Sequence, residues 1–403
     1  MVAMMFARRT IRNAVGFLGV AALALCAAVP VAQAQVGHRL TPSEPLSNEE
    51  FAAFAASATP MVMMREGRGD LATPRRIPVA PTAYEGEMLI NPGSPGRGLG
   101  DDYTPDGSIA SAAGSDPVRS PMDYGSGNRN SIYQYSDSLL TPFPVSVYPY
   151  RTAGKLYFTL YGFDFECSAS LISRSIIVTA GHCVNDGAGT FASRAVFVPA
   201  YSATSDRDHF GRCTVTHMWT TPEWNTGWGL ASDYDVALAL CDRVGTTFTG
   251  VGPLIGDATG WLGFCYRNCR MPYFQDTQIG YPLNYFGGGQ MMISQHLAET
   301  VTGVIGGFAT GAYVHGSGMT GGSSGGPHIM NAGVIDGTAT SGDLPDRNVT
   351  LAVSAFQING LPGIIASVAL TGTNNSINFR RMFNQACRES RRSLGRNSCS
   401  LIR

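Results

Sequence analysis

Three short segments of the chain carry residues that could serve as a nucleophile, a base and an orienting carboxylate. Gly322-Ser323-Ser324-Gly325-Gly326-Pro327 sets serines among glycines, Thr179-Ala180-Gly181-His182-Cys183 carries a histidine, and Asp233-Tyr234-Asp235-Val236-Ala237-Leu238 carries two aspartates. A serine hydroxyl is a weak nucleophile and needs a neighbour that takes its proton. Histidine suits that work because its pKa lies near neutral. A carboxylate then fixes the imidazole tautomer and stabilises the imidazolium. Glycines let the backbone come close to another molecule and leave N–H groups free to face a developing negative charge. Glycine on its C-terminal side favours Ser324 over Ser323 as the nucleophile.

The order along the chain is His182, then aspartate, then Ser324. Gly322-x-Ser324-x-Gly326 also fits the nucleophile elbow of α/β-hydrolases, in which a histidine must follow the serine. Only His328 follows, four residues on, too near to close a triad. That leaves the order in which the histidine comes first. His209, His217, His296, His315 and His328 are read as surface or packing residues, with His315 near enough to Gly318 to line a pocket.

With these motifs, and with Tyr148-Pro149-Tyr150-Arg151, Cys167-Ser168-Ala169-Ser170-Leu171-Ile172 and Gly280-Tyr281-Pro282, residues 145–386 resemble the chymotrypsin-like serine proteases. They are more similar to the bacterial glutamyl-endopeptidase-like (V8-like) branch than to animal trypsins. The resemblance implies an all-β fold of two six-stranded antiparallel barrels, with a catalytic triad of His182, Asp235 and Ser324 between them. Asp235 is taken over Asp233 because Val236, Ala237 and Leu238 continue as a buried strand, as the family pattern requires. The resemblance also implies an oxyanion hole from the backbone N–H groups of Gly322 and Ser324, and a disulfide between Cys167 and Cys183. Cys213 with Cys241, Cys265 with Cys269 and Cys387 with Cys399 are the remaining pairings nearest in sequence.

Departures from the family pattern sharpen the expectation. Ser323 stands where animal members carry the acid that pairs with a freed N-terminus, so that activation switch is not expected. The pocket segment Gly318-Met319-Thr320 has no Asp for a basic side chain, and Val353-Ser354-Ala355 lacks the histidine that binds glutamate. A neutral or apolar residue is therefore expected before the scissile bond (P1). The implied activity is a serine endopeptidase acting on proteins or peptides as a monomer, with no cofactor. A non-catalytic binding module on the same fold and an esterase are the alternatives.

The rest of the chain must position these residues. Of 403 residues 44% are hydrophobic, and 49 glycines and 16 tyrosines favour short strands with many turns. The balance of 28 basic and 29 acidic residues leaves no basic stripe for nucleic acid. Arg8, Arg9 and Arg12, the apolar run from Ala14 to Pro30 and Ala32-Gln33-Ala34 read as a signal peptide over residues 1–34. Export to a secreted or periplasmic location agrees with the cysteines, since the nine less Cys26 leave an even eight. No cysteine or histidine spacing fits a metal site. Residues 35–144, rich in Pro, Gly and Ser, read as an irregular pro-region or extension, which would make the protein a zymogen. Within them Glu49–Ala56 could form a helix or a docking patch. Arg75-Arg76, Arg119 and Arg151 are candidate processing points. A helix is expected over Ser376–Ala386 and a basic, cysteine-containing tail over 387–403. The lone lysine, Lys155, reads as compositional habit.

Overall fold

The computed structural model describes residues 36–40, 45–61, 89–96, 135–139, 145–203, 210–226, 234–244, 254–267, 275–297, 299–305, 308–333, 348–357, 363–370, 376–395 and 397–402. The signal-peptide reading, Asp233, His209, Cys269, Arg75-Arg76 and Arg119 lie outside them. The strands are β1 (Val36–Arg39), β2 (Thr59–Pro60), β3 (Leu89–Asn91), β4 (Tyr135–Leu139), β5 (Ala153–Leu160), β6 (Phe163–Leu171), β7 (Ile176–Thr179), β8 (Arg194–Pro199) and β9 (Cys213–Thr220). They continue with β10 (Ala237–Val244), β11 (Gly263–Arg267), β12 (Gln275–Gly280), β13 (Met292–Leu297), β14 (Glu299–Ile305), β15 (Phe308–Gly316), β16 (Pro327–Met330), β17 (Val349–Gln357) and β18 (Ile364–Ala369). Helices are α1 (Asn48–Ser57), α2 (Pro222–Thr226), α3 (Ile255–Thr259) and α4 (Ser376–Leu394).

β5, β6, β7, β10, β9 and β8 pair in that order, and β8 returns to β5, so the six close an antiparallel barrel. Alternating side chains point inward, as strand geometry requires. Leu156, Phe158, Leu171, Ile177, Phe197 and Val215 share one core cluster with Cys167, Cys183, Cys213 and Cys241. The expected bridges Cys167–Cys183 and Cys213–Cys241 both form there.

The second sheet runs β14-β15-β18-β17-β16-β12-β13-β4, with β11 beside β17 and β3 beside β11. It is larger than the six strands expected, and no ladder joins its ends among the described residues. Two of the additional strands, β3 and β4, come from residues 35–144. β1 pairs with β9 and β2 with β6, so that segment also contributes to the first sheet. The described residues of that segment thus add to both sheets.

The helix foreseen near residue 50 is real and docks on its own chain. Ser47 and Glu50 form a capping box at its start. Phe51 and Phe54 bury against Tyr157, beneath the guanidinium groups of Arg212 and Arg194. Arg151 is a poor processing point, since its guanidinium donates to the carbonyls of Thr259, Ser146 and Pro95.

Helix α4 runs eight residues beyond the expected end at Ala386. Phe379, Met382, Phe383, Ala386 and Cys387 belong to a core cluster with Val178, Leu238 and Val353. The cluster extends past Ala386 through Cys387, and Ser390 also stays buried, its hydroxyl 2.6 Å from that of Ser175. The Cys387–Cys399 bridge folds the tail back, where Ile402 exchanges hydrogen bonds with the Asn384 side chain. The tail is thus part of the core and not an appendage. Cys265 is also disulfide-bonded.

Candidate active site

His182 sits on a 3-10 turn, Gly181–Cys183, that follows the end of β7. Asp235 lies just before β10. Because β7 and β10 are antiparallel with Ala237 opposite Thr179, the residues after one strand meet those before the other. The Asp235 carboxylate uses both oxygens on the histidine. Oδ1 accepts the His182 backbone N–H at 2.8 Å and Oδ2 faces Nδ1 at 2.7 Å. This arrangement puts the ring proton on Nδ1 and leaves Nε2 as the acceptor. Thr220 and Thr221 hydroxyls donate to the carbonyls of Val236 and Tyr234 and fix the aspartate's loop. Gly181 has no room for a side chain, since a Cβ would come 2.9 Å from Asp235 Oδ1 and from the Trp224 ring. Trp224 lies beside the His182 ring at 6.4 Å and is itself anchored by its Nε1–H to the Asn185 carbonyl.

Ser324 lies on the loop between β15 and β16. Ser323 N–H donates to the Thr320 carbonyl, and Gly326 N–H to that of Ser323. Gly325 N–H reaches the Ser354 carbonyl on β17, and Ser354 N–H returns to Gly326. At Gly325 φ is +79°, and a Cβ would stand 2.0 Å from Thr179 Oγ1 and 2.3 Å from the Ser168 carbonyl, so only glycine fits. Ser168 ties the first sheet to the loop. Its N–H donates to the Ser324 carbonyl at 2.7 Å and its hydroxyl to the Gly322 carbonyl at 2.8 Å, while Tyr281 N–H donates back to that hydroxyl. The Cys183 sulfur lies 3.8 Å from the Ser324 carbonyl oxygen. His182, Asp235 and Ser324 are all buried, and His182 Nε2 and Ser324 Oγ make no hydrogen bond. Ser168 and Trp224 were not assigned roles from the sequence. Both act through backbone contacts with no motif of their own.

The N–H of Gly322 is occupied. It donates to the Met61 carbonyl at 3.3 Å, and Met61 N–H donates to the Glu166 carbonyl at 2.9 Å. β2 runs parallel to β6 here, with Pro60 opposite Glu166. Glu166 is paired to Lys155, the lone lysine, at 2.5 Å. Burial pushes the lysine's pKa down and the glutamate's up. Lys155 also donates to the Gly288 carbonyl, so it is a structural cation behind this edge and more than compositional habit.

The residues expected to line the pocket separate. Met319 is buried with Met292 and Ile365. Gly318 is partly exposed and donates its N–H to Asp137. Val353 and Ala355 point into the core cluster under α4, so they do not face a pocket; strand alternation sends Ser354 the other way. The Ser354 hydroxyl meets His328 Nε2 at 3.2 Å and the Gln278 amide at 2.8 Å.

His296, His315 and His328, set aside from sequence as separate packing residues, form one buried cluster with Asp276. Asp276 Oδ2 lies 3.1 Å from His296 Nε2 and 2.6 Å from His328 Nδ1. His315 Nε2 meets the Ser367 hydroxyl at 2.8 Å. The rings of His296 and His315 stack with centroids 4.0 Å apart at 13°, and one ring nitrogen from each of the three histidines lies within 4.8 Å of the others. Near His182, Cys167 and Cys183 are joined to each other and offer no thiolate.

No protein-family profile and no curated sequence matches the chain. Its structure is similar to that of the protease Anisep from Arthrobacter nicotinovorans, at 23% identity and a TM-score of 0.45, over 59% of this chain and 95% of that one. It is also similar to the thermostable serine protease AL20 from an extremophilic microorganism, at 24% identity and 0.44, over 58% and 98%. A Glu endopeptidase in complex with MPD is similar at 17% identity and 0.43, over 61% and 96%.

Proposed function

We propose that the protein is an exported serine endopeptidase. The observation that carries this reading is the pairing of Asp235 with both N–H groups of His182, which leaves Nε2 and Ser324 Oγ buried and without partners. In this reading Nε2 takes the Ser324 proton as Oγ attacks the substrate carbonyl. The N–H groups of Gly322 and Ser324 receive the oxyanion. The tetrahedral adduct collapses, His182 protonates the departing amine, and water then releases the acyl group by the same steps. Asp235 holds the tautomer and stabilises the imidazolium. No step calls for a cofactor. Three disulfides among the described residues favour an oxidising compartment.

The same reading makes this a latent form. Residues 59–61 lie along β6, and the Met61 carbonyl takes the Gly322 N–H that an oxyanion would need. The strap supports the zymogen expectation, with a mechanism that does not use an acid at position 323. As for P1, Gly318, Met319 and Thr320 are uncharged and favour a neutral or apolar side chain, whereas the Asp137 carboxylate held by Gly318 favours a basic one. The test of the function is peptide turnover after the strap is weakened by Met61→Pro, which removes the N–H given to Glu166. Turnover present in that chain and lost with Ser324→Ala or His182→Ala is the expected result. Ester hydrolysis without any peptide cleavage would favour the esterase alternative, and neither activity would leave the binding module.

A further inference from the structure

Asp137 is the central residue of β4, which adds to the edge of the second sheet with Asp137 opposite Ser294. Its Oδ2 accepts the Tyr285 hydroxyl at 2.8 Å and the Gly318 N–H at 3.0 Å. Its Oδ1 is buried, and the Ser294 hydroxyl directly across the ladder acts on the same carboxylate. Gly318 lies six residues before Ser324, in the segment that the resemblance assigns to the floor of the specificity pocket. A Cβ built on Gly318 would fall 2.4 Å from Asp137 Oδ2, 2.5 Å from the Tyr285 hydroxyl and 3.5 Å from the Tyr135 ring. The carboxylate therefore stands where a side chain on residue 318 would be. Position 318 lacks an acid in the sequence and has one in space, delivered from 181 residues upstream.

A staple for the 317–319 backbone would need one carboxylate oxygen, and Oδ2 already takes both donors. Oδ1 has the facing Ser294 hydroxyl as its neutral neighbour and no counter-charge. A buried carboxylate without a counter-charge is costly, and a cation is the group that relieves it most. Burial pushes the Asp137 pKa up, while the Ser294 and Tyr285 hydroxyls, the Gly318 N–H and the nearby His296 pull it back. The surroundings supply no fixed lysine or arginine hydrogen bond to this group among the described residues.

We propose that Asp137 is a specificity-determining residue, whose carboxylate receives the guanidinium or ammonium group of the substrate residue on the acyl side of the scissile bond. The inference rests on the protease reading and deepens it: the enzyme cleaves after Arg or Lys, not after neutral residues. It also requires β4 to stay in the active enzyme, so any maturation cut must fall before Tyr135.

The test is a P1 peptide library on the full chain carrying Met61→Pro, with Asp137 intact and with Asp137→Asn, alongside labelling by a fluorophosphonate. The expected result is cleavage dominated by Arg and Lys, and a drop in kcat/KM for Arg substrates of roughly 10²-fold or more in Asp137→Asn. Labelling of Ser324 should change by no more than a few-fold in that variant. A labelled enzyme that cleaves after neutral residues overturns the proposal. So does an Arg preference that survives Asp137→Asn. If the variant fails to fold, the profile of the chain with Asp137 intact decides alone. No labelling in either chain overturns the protease reading instead, and this proposal falls with it.

Discussion

Two buried places in this molecule pair an aspartate with a histidine, and they differ in what lies beyond the histidine. At the first, Asp235 Oδ2 faces His182 Nδ1 at 2.7 Å; at the second, Asp276 Oδ2 faces His328 Nδ1 at 2.6 Å. His182 Nε2 then meets nothing, and Ser324 Oγ is equally unpartnered. His328 Nε2 meets two hydroxyls, Ser367 at 2.8 Å and Ser354 at 3.2 Å. Asp276 is shared with His296, and Ser367 with His315. A base whose lone pair is already engaged cannot take a proton from a nucleophile without first losing a bond. The residue types are the same at both places. Unpartnered atoms occur at both places, but at the second they are His296 Nδ1 and Asp276 Oδ1, and at the first they are a histidine nitrogen and a serine hydroxyl, each costing roughly 1–3 kcal/mol until something relieves it.

The comparison is broken most severely by exchanging the serines. In the strap-weakened chain, Ser324→Ala should lower peptide turnover by about 10⁴-fold or more, whereas Ser354→Ala should leave it within about tenfold. Equal losses would mean that the two constellations had been assigned the wrong way round. The carboxylates should divide in a similar manner. Asp235→Asn should cost about 10⁴-fold in kcat with the thermal melt nearly unmoved. Asp276→Ala should act on the melt instead, destabilising by about 3 kcal/mol through two histidines left without their acceptor, with turnover per folded molecule little changed.

A smaller effect concerns access to the first site. Met61→Pro should speed fluorophosphonate labelling on the order of tenfold, the equivalent of one or two hydrogen bonds, and an unchanged rate would show that the strap does not control entry. The smallest effect is the pH response of the second site. Burial holds His296 and His315 below their ordinary value of 6.5. The unfolded chain binds those protons near 6.5 and the folded chain resists them, so stability should be full above that pH and fall as pH drops below it. The slope is at most about 1.4 kcal/mol per pH unit for each histidine. Melts from pH 7.5 to 5 should show it, and His315→Asn should flatten it; a melt that rises on acidification in that range would contradict the burial account.

How much of this could be read from the sequence follows from the reach of each interaction. His182 and Ser324 stand in short motifs whose glycines are demanded by local crowding, as at Gly181 and Gly325, and Asp235 opens an apolar strand. The closed barrel was legible in the runs around Leu156, Ile177 and Val196. Asp137 was not, because it meets Gly318 only through strand pairing at the far edge of a sheet, and its own neighbourhood reads as turn-rich extension. Met61 was hidden for the same reason. The three histidines sit on β13, β15 and β16, and only the ladders that place Asp276 opposite His296, on a strand that also pairs with β16, bring them together. The full length of helix α4 is not legible because Arg388, Arg391 and Arg392 obscure a face that continues through Cys387 and Ser390.

The central claim is that Ser324 alone among the buried serines is poised for attack. Mass-spectrometric mapping of the fluorophosphonate adduct on the Met61→Pro chain tests it most directly. The account predicts a single adduct on Ser324 that disappears with His182→Ala. An adduct on Ser323, Ser354 or Ser367, or labelling of Ser324 that persists without His182, would contradict it.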